Sequence, residues 1–195
     1  KEQIMKKTFE SELPEGYKAV YVVDAKNGKT VVLLNIAAFA VAAICIFISY
    51  LIIRPAEFFD NYSFVRAVIF ISVMLLYIVL HELVHGAAYK ILTKQKLTFG
   101  LTLSVAYCGV PDIYVYRRAA LIALLAPFVL FIPVFLLPAI FLPDAWDRFY
   151  CLILFSLHLS GCSGDIYDAF LYLFRFKDET VLMRDTGPKQ TFYEK

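Results

Sequence analysis

Charge is scarce in this sequence. Only 18% of its 195 residues are Asp, Glu, Lys or Arg, against about 25% in an average soluble domain. The formal net charge is +2, which gives no ground for a nucleic-acid partner. Histidine occurs 3 times and tryptophan once. The cysteines, Cys45, Cys108, Cys151 and Cys162, show no Cys-x-x-Cys spacing and read as reduced apolar side chains. There is no internal repeat, low-complexity tract or long linker. What is abundant is apolar surface: 61% of the residues are hydrophobic and the mean hydropathy is +0.68. Disordered chains lack such residues, and a soluble domain of this length could not easily bury them all. The composition is that of an integral membrane protein.

Four apolar stretches carry this character, residues 31–53, 65–92, 119–142 and 149–174. Each exceeds the roughly 20 residues a helix needs to cross the hydrocarbon core. Strands are a poor alternative, because an open sheet in lipid leaves backbone groups unpaired. The first stretch follows a polar segment and has no small-residue cleavage pattern, so it reads as a span rather than a signal peptide. The expected fold is an all-α membrane protein of four transmembrane helices in one domain, 31–174, between tails 1–30 and 175–195.

Of the 19 Lys and Arg residues, all but Arg54, Arg66 and Arg148 fall in the two tails or around the loop between helices two and three. The positive-inside rule then places both tails and that loop in the cytoplasm. The loop has a pattern of its own. Leu97, Phe99, Leu101, Leu103, Val105 and Tyr107 alternate with smaller or polar residues, the period of a strand. Cys108-Gly109-Val110-Pro111-Asp112 has turn chemistry, and Ile113–Tyr116 returns as a second strand. A cytoplasmic hairpin over 96–116 is expected, either capping the helices or offering an edge to an extended substrate. A weaker alternation at Tyr17, Ala19, Tyr21 and Val23, before Asn27-Gly28, reads as a small element without a role. Pro127, Pro133 and Pro138 are expected to bend helix three.

The second apolar stretch contains His81-Glu82-Leu83-Val84-His85. Residues four apart share a helix face, about 6 Å apart along the axis. Two imidazoles so placed can hold one zinc ion, with Glu82 beside them as the base that takes a proton from water. Two histidines and a glutamate inside an apolar helix are costly to bury unless paired or coordinated. A third ligand must come from elsewhere, and the candidates are His158, Asp165 and Asp168 on helix four. Helices two and four run the same way, so depth can be counted from their cytoplasmic ends at about 1.5 Å per residue. Asp165 lies level with the histidine pair, Asp168 about 4–5 Å shallower, and His158 about 10 Å deeper than Asp165. The order of preference is Asp165, Asp168, His158. Ser160-Gly161-Cys162-Ser163-Gly164, just before Asp165, is a run of small residues suited to close helix packing or to interrupting the helix.

These residues resemble a known group. HELVHGAAYKILTKQKLTFG, an apolar His-Glu-x-x-His helix leading into a Gly-containing strand, looks like the core of site-2-type intramembrane metalloproteases. The chain is most similar to the bacterial family of membrane zincin peptidases, through that motif, Tyr107-Cys108 in the hairpin, and the segment Gly161–Asp165. The resemblance covers about residues 75–175. It implies a core of three transmembrane helices, zinc held by His81, His85 and Asp165, and Glu82 as general base. It also implies membrane-anchored protein substrates, cut at or within the bilayer. Site-2 proteases usually carry Asn-Pro-x-Asp-Gly at the third ligand. Ser163-Gly164-Asp165-Ile166 has neither the Asn-Pro nor the final Gly.

The expected protein is therefore a zinc metallopeptidase of the bacterial cell membrane, in contact with lipid and with protein substrates. Two other classes compete. One is a non-enzymatic membrane protein with a structural metal, or a metal transporter. The other is a metal hydrolase acting on a lipid or cell-wall amide. A closed four-ligand site favours a structural metal, and an open position favours catalysis.

Overall fold

The computed structural model describes residues 7–24, 28–54, 63–101 and 106–195. In chain order the elements are β1 (Phe9–Glu10), β2 (Lys18–Asp24), α1 (Gly28–Ile53), α2 (Phe64–Thr93), β3 (Thr98–Leu101), β4 (Ala106–Gly109) and β5 (Tyr114–Tyr116). Then come α3 (Arg117–Phe141), α4 (Ala145–Gly161), α5 (Ser163–Phe170), a π-helical turn Leu171–Arg175, β6 (Leu182–Asp185) and β7 (Lys189–Glu194). Three helices are long and apolar enough to cross a membrane: Val32–Ile53 of α1, then α2 and α3. The number rises to 4 if α4 and α5 with its π turn count as one broken span. Only 11% of the apolar window is buried in α1 and in α2, which suits surfaces solvated by lipid.

Local chemistry sets the helix ends. The Asp144 carboxylate accepts hydrogen bonds from the N–H groups of Trp146 (2.9 Å) and Asp147 (3.1 Å), capping α4. Thr93 closes α2 by donating its hydroxyl to Tyr89 O at 2.7 Å. Lys94 then takes a left-handed φ of 58° and the chain leaves the helix. α3 is continuous through Pro127, Pro133 and Pro138.

The chain divides into two compact units. One combines Leu34–Val79 with Phe128–Ser163. Its centre is Tyr77, whose ring meets Phe131 and Phe135 edge-on with centroids 5.1 and 5.3 Å away. Its rim holds Arg66, 3.2 Å from Asp144 and 3.4 Å from Asp147.

The other unit combines Lys1–Leu33, Leu80–Pro127 and Gly164–Lys195. It holds more strand than the single hairpin expected of an all-α fold. A five-stranded antiparallel sheet, in the order β1-β5-β6-β7-β2, draws strands from both tails. One row of paired residues crosses all five strands: Phe9, Val115, Met183, Phe192 and Tyr21. Val115, Met183 and Phe192 in its middle are fully buried, against Tyr89 of α2, Ala120 and Ala123 of α3, and Tyr172 and Phe176. The alternating N-terminal segment, expected to have no role, is thus an edge strand of the sheet that builds this core.

The hairpin also differs from expectation. β3 pairs with β4, Thr98 opposite Gly109 and Leu101 opposite Ala106. The run 97–107, expected as one strand, therefore folds back on itself. Residues 102–105 of that run lie outside the described residues, as does Asn27. Ile113–Tyr116 does not return along this hairpin; β5 pairs with β1 and β6 instead.

Phe192 is the test of this core, with ring centroids 4.9 Å from Phe176 and 5.0 Å from Tyr172. Phe192→Ala is expected to lower stability by about 3–5 kcal/mol. Val22→Ala, on the half-exposed side of β2, should cost under about 1 kcal/mol. Denaturant unfolding in detergent, followed by fluorescence, measures both.

Candidate metal centre

His81, His85 and Tyr89 follow one another at four-residue intervals and face inward from α2, all buried. Further along the chain the small residues Gly161–Ser163 interrupt the helical path, α4 ending at Gly161 and α5 starting at Ser163. This break creates a fresh helix N-terminus, and Asp165 sits in its first turn, where unpaired N–H groups favour a carboxylate. Gly161 and Gly164 are not sites of close approach, as their spacing suggested. A Cβ on Gly164 would meet nothing within 4 Å.

The three side chains converge. His81 Nε2 lies 3.2 Å from His85 Nε2 and 3.4 Å from Asp165 Oδ2, and His85 Nε2 lies 3.5 Å from Asp165 Oδ1. Ligands about 2.0–2.1 Å from a tetrahedral zinc stand roughly 3.3–3.4 Å from one another. The donor set, two imidazoles and a carboxylate, and its spacing both fit that ion. Among the described residues, His81, His85 and Asp165 form a group of potential metal ligands. His85 Nδ1 donates to the Ala123 carbonyl of α3 at 2.8 Å. A carbonyl only accepts, so the proton is on Nδ1 and the lone pair is on Nε2, facing the other two donors. Asp165 keeps 21% of its side chain accessible, against 8% and 9% for the imidazoles.

His158 belongs to the Tyr77 unit, where its Nδ1 is 2.8 Å from the Tyr77 hydroxyl and its Nε2 3.2 Å from Phe128 O. Asp168, one turn after Asp165, is buried, and its Oδ1 has no hydrogen-bond partner among the described residues. It joins no group of potential metal ligands. Glu82 is half-buried beside His81, with Cys108 of β4 close to its carboxylate. Burial, with the carboxylates of Asp185 and Glu82, pushes the Cys108 thiol up to about 12, so it is a neutral packing group rather than a thiolate.

Sequence reasoning missed Asp185. Its carboxylate is buried 2.8 Å from the Tyr89 hydroxyl and 2.8 Å from Gly187 N, both of which donate to it. Burial raises this carboxyl to about 6, against the pull of Gly187 N–H and the Tyr89 hydroxyl. The available signal was Asp185-Thr186-Gly187-Pro188, an Asp-x-Gly-Pro turn in which the side chain caps its own backbone.

Two imidazoles and a carboxylate at this spacing form a candidate zinc site, on a chain with three helices long and apolar enough to cross a membrane. The family model described as "Putative zincin peptidase" matches residues 73–181. That is more than half of the chain, and the chain belongs to this family. No curated protein and no solved structure matches it.

The geometry separates the two aspartates. Asp165→Asn is expected to weaken zinc binding by about 100-fold or more, and Asp168→Asn by no more than about tenfold. Chelator competition on purified protein reads both. Unchanged affinity in the Asp165 variant would move the third ligand elsewhere.

Proposed function

We propose that this protein is a membrane-embedded zinc peptidase that hydrolyses peptide bonds of membrane-associated proteins. The observation that carries the reading is the group of three protein donors with Glu82 next to it. Three donors leave a fourth position for water or substrate, the pattern of catalytic rather than structural zinc. Membership of the zincin peptidase family supports the same chemistry.

In this reading His81, His85 and Asp165 hold the ion. An ion held by these residues would supply Lewis-acid chemistry to a carbonyl and would make nearby water more acidic. Glu82 takes the proton from the attacking water and delivers it to the leaving amine. The Ala123 carbonyl holds the His85 ring in register. The accessible side of Asp165 is where water enters. The outer edge of β3, which pairs only with β4 among the described strands, receives an extended substrate segment by backbone hydrogen bonding. The protein resides in the bacterial cell membrane with both termini in the cytoplasm.

Glu82→Gln separates this reading from a structural metal or a transporter. The variant is expected to keep its zinc and to lose about 100-fold or more in kcat/KM on a labelled single-span reporter protein in proteoliposomes. Cleavage equal to wild type would remove Glu82 as the base. Reporter fusions at positions 60, 105, 146 and 195 test the orientation. Positions 105 and 195 should read as cytoplasmic, and a cytoplasmic signal at 146 would overturn the topology.

A further inference from the structure

The family match ends at residue 181, yet the next turn of chain reaches the floor of the candidate centre. Asp185 is 3% exposed. Its Oδ2 accepts from Tyr89, one helical turn beyond His85, and its Oδ1 accepts from Gly187 N and, at 3.4 Å, from Gln190 Nε2. Its main-chain oxygen accepts from Val110 N at 2.9 Å. One residue thus ties the face of α2 to the end of β4 through separate atoms.

The backbone after Asp185 closes the same joint. A Cβ on Gly109 would lie 2.5 Å from Gly187 N and 2.9 Å from Thr186 C, so β4 touches that turn backbone to backbone. Gly187 has φ +92° and the Tyr107 ring packed on its Cα. Residues 185–187 therefore press on residues 107–110 from one side. From the other side Gly86, next to His85, leaves room for Cys108 Sγ, which would be 3.3 Å from a Cβ there. Between these two contacts sits Cys108, close to Glu82.

We propose that Asp185 is a positioning residue that, through Tyr89 and the turn 185–187, clamps β4 against α2 and so holds Cys108 beside Glu82. The C-terminal strands are then part of the catalytic apparatus, although no atom of them touches a donor of the His81, His85 and Asp165 group. The catalytic consequence rests on the peptidase reading above. The clamp itself does not, because the Cys108 thiol reports on it directly.

The test uses the full chain in detergent with zinc, as wild type, Tyr89→Phe and Asp185→Asn. Both substitutions are close to isosteric, and Tyr89→Phe removes a single hydroxyl. Three quantities are read: maleimide labelling of Cys108 by peptide mass, zinc affinity by chelator competition, and kcat and KM on the reporter protein. The clamp predicts that Cys108 labels about tenfold faster or more, zinc affinity stays within about threefold, and kcat falls about tenfold at nearly constant KM. Labelling and kcat unchanged in both variants would overturn the proposal. So would a loss of zinc and of folded protein together in Tyr89→Phe, which is the mark of a merely structural role. If the wild type cleaves nothing, the peptidase reading falls, and the labelling rates alone decide whether the clamp exists.

Discussion

Two imidazole nitrogens and the two oxygens of one carboxylate, with neighbours 3.2–3.5 Å apart, are the constraint on which the rest of this structure depends. Imidazole nitrogens and a carboxylate at that range lower their energy only when positive charge lies among them. Without it the lone pairs crowd one another where solvent screening is weak. The surrounding fold has to hold them there regardless. It does so with ordinary means. A helix repeat aligns His81 and His85, the Ala123 carbonyl orients one ring, and a helix break gives Asp165 the N-terminal turn of α5.

Holding those parts in place is the work of the sheet. On the reading of the apolar helices as membrane spans, the five-stranded sheet anchors the ends of helices whose other surfaces meet lipid. Lipid supplies no hydrophobic drive to press one helix on another. The row Phe9, Val115, Met183, Phe192 and Tyr21 offers an apolar face in water, where burial does contribute. Tyr89, Ala123 and Tyr172 pack into the same core, and each sits within a turn or two of a donor residue or its hydrogen-bond partner. Precision at the centre is thus borrowed from a water-driven core next to it.

Some of this was legible in the sequence and some was not, and the division is physical. The pair His81 and His85 is a local fact, because spacing within one helix determines which residues share a face. The nearness of Asp165 to that pair was within reach of counting, since rise per residue converts position into depth. The sheet was not within reach. The alternation at Tyr21 and Val23 was visible, but its partner strand Lys189–Glu194 lies at the other end of the chain, and nothing local encodes that pairing. The hairpin register failed for a related reason. Residues 98–101 and 106–109 both alternate, so a fold-back between them looks like one long strand. Glycines misled in the same way. Crowding occurs at Gly86, Gly109 and Gly187, not at Gly164, because what approaches a glycine comes from a distant part of the chain.

On the proposed peptidase reading, the location of the centre along α2 answers two opposing demands. Hydrolysis needs water at the reacting carbonyl, and a group that moves protons needs a polar environment to hold its charge. A substrate anchored in lipid needs the opposite, a site it can reach without leaving the bilayer. His85 is eight residues from the end of α2 at Thr93, about 12 Å along the axis. That is deep enough to face an apolar segment and near enough to the sheet to be fed by water. The break at Cys162 belongs to the same compromise. An unbroken helix through residue 165 would satisfy its backbone within lipid but would carry Asp165 at mid-helix, with no free N–H groups beside it. Ending α4 at Gly161 and restarting at Ser163 puts Asp165 in the first turn of α5 instead, the end of a helix that favours a carboxylate.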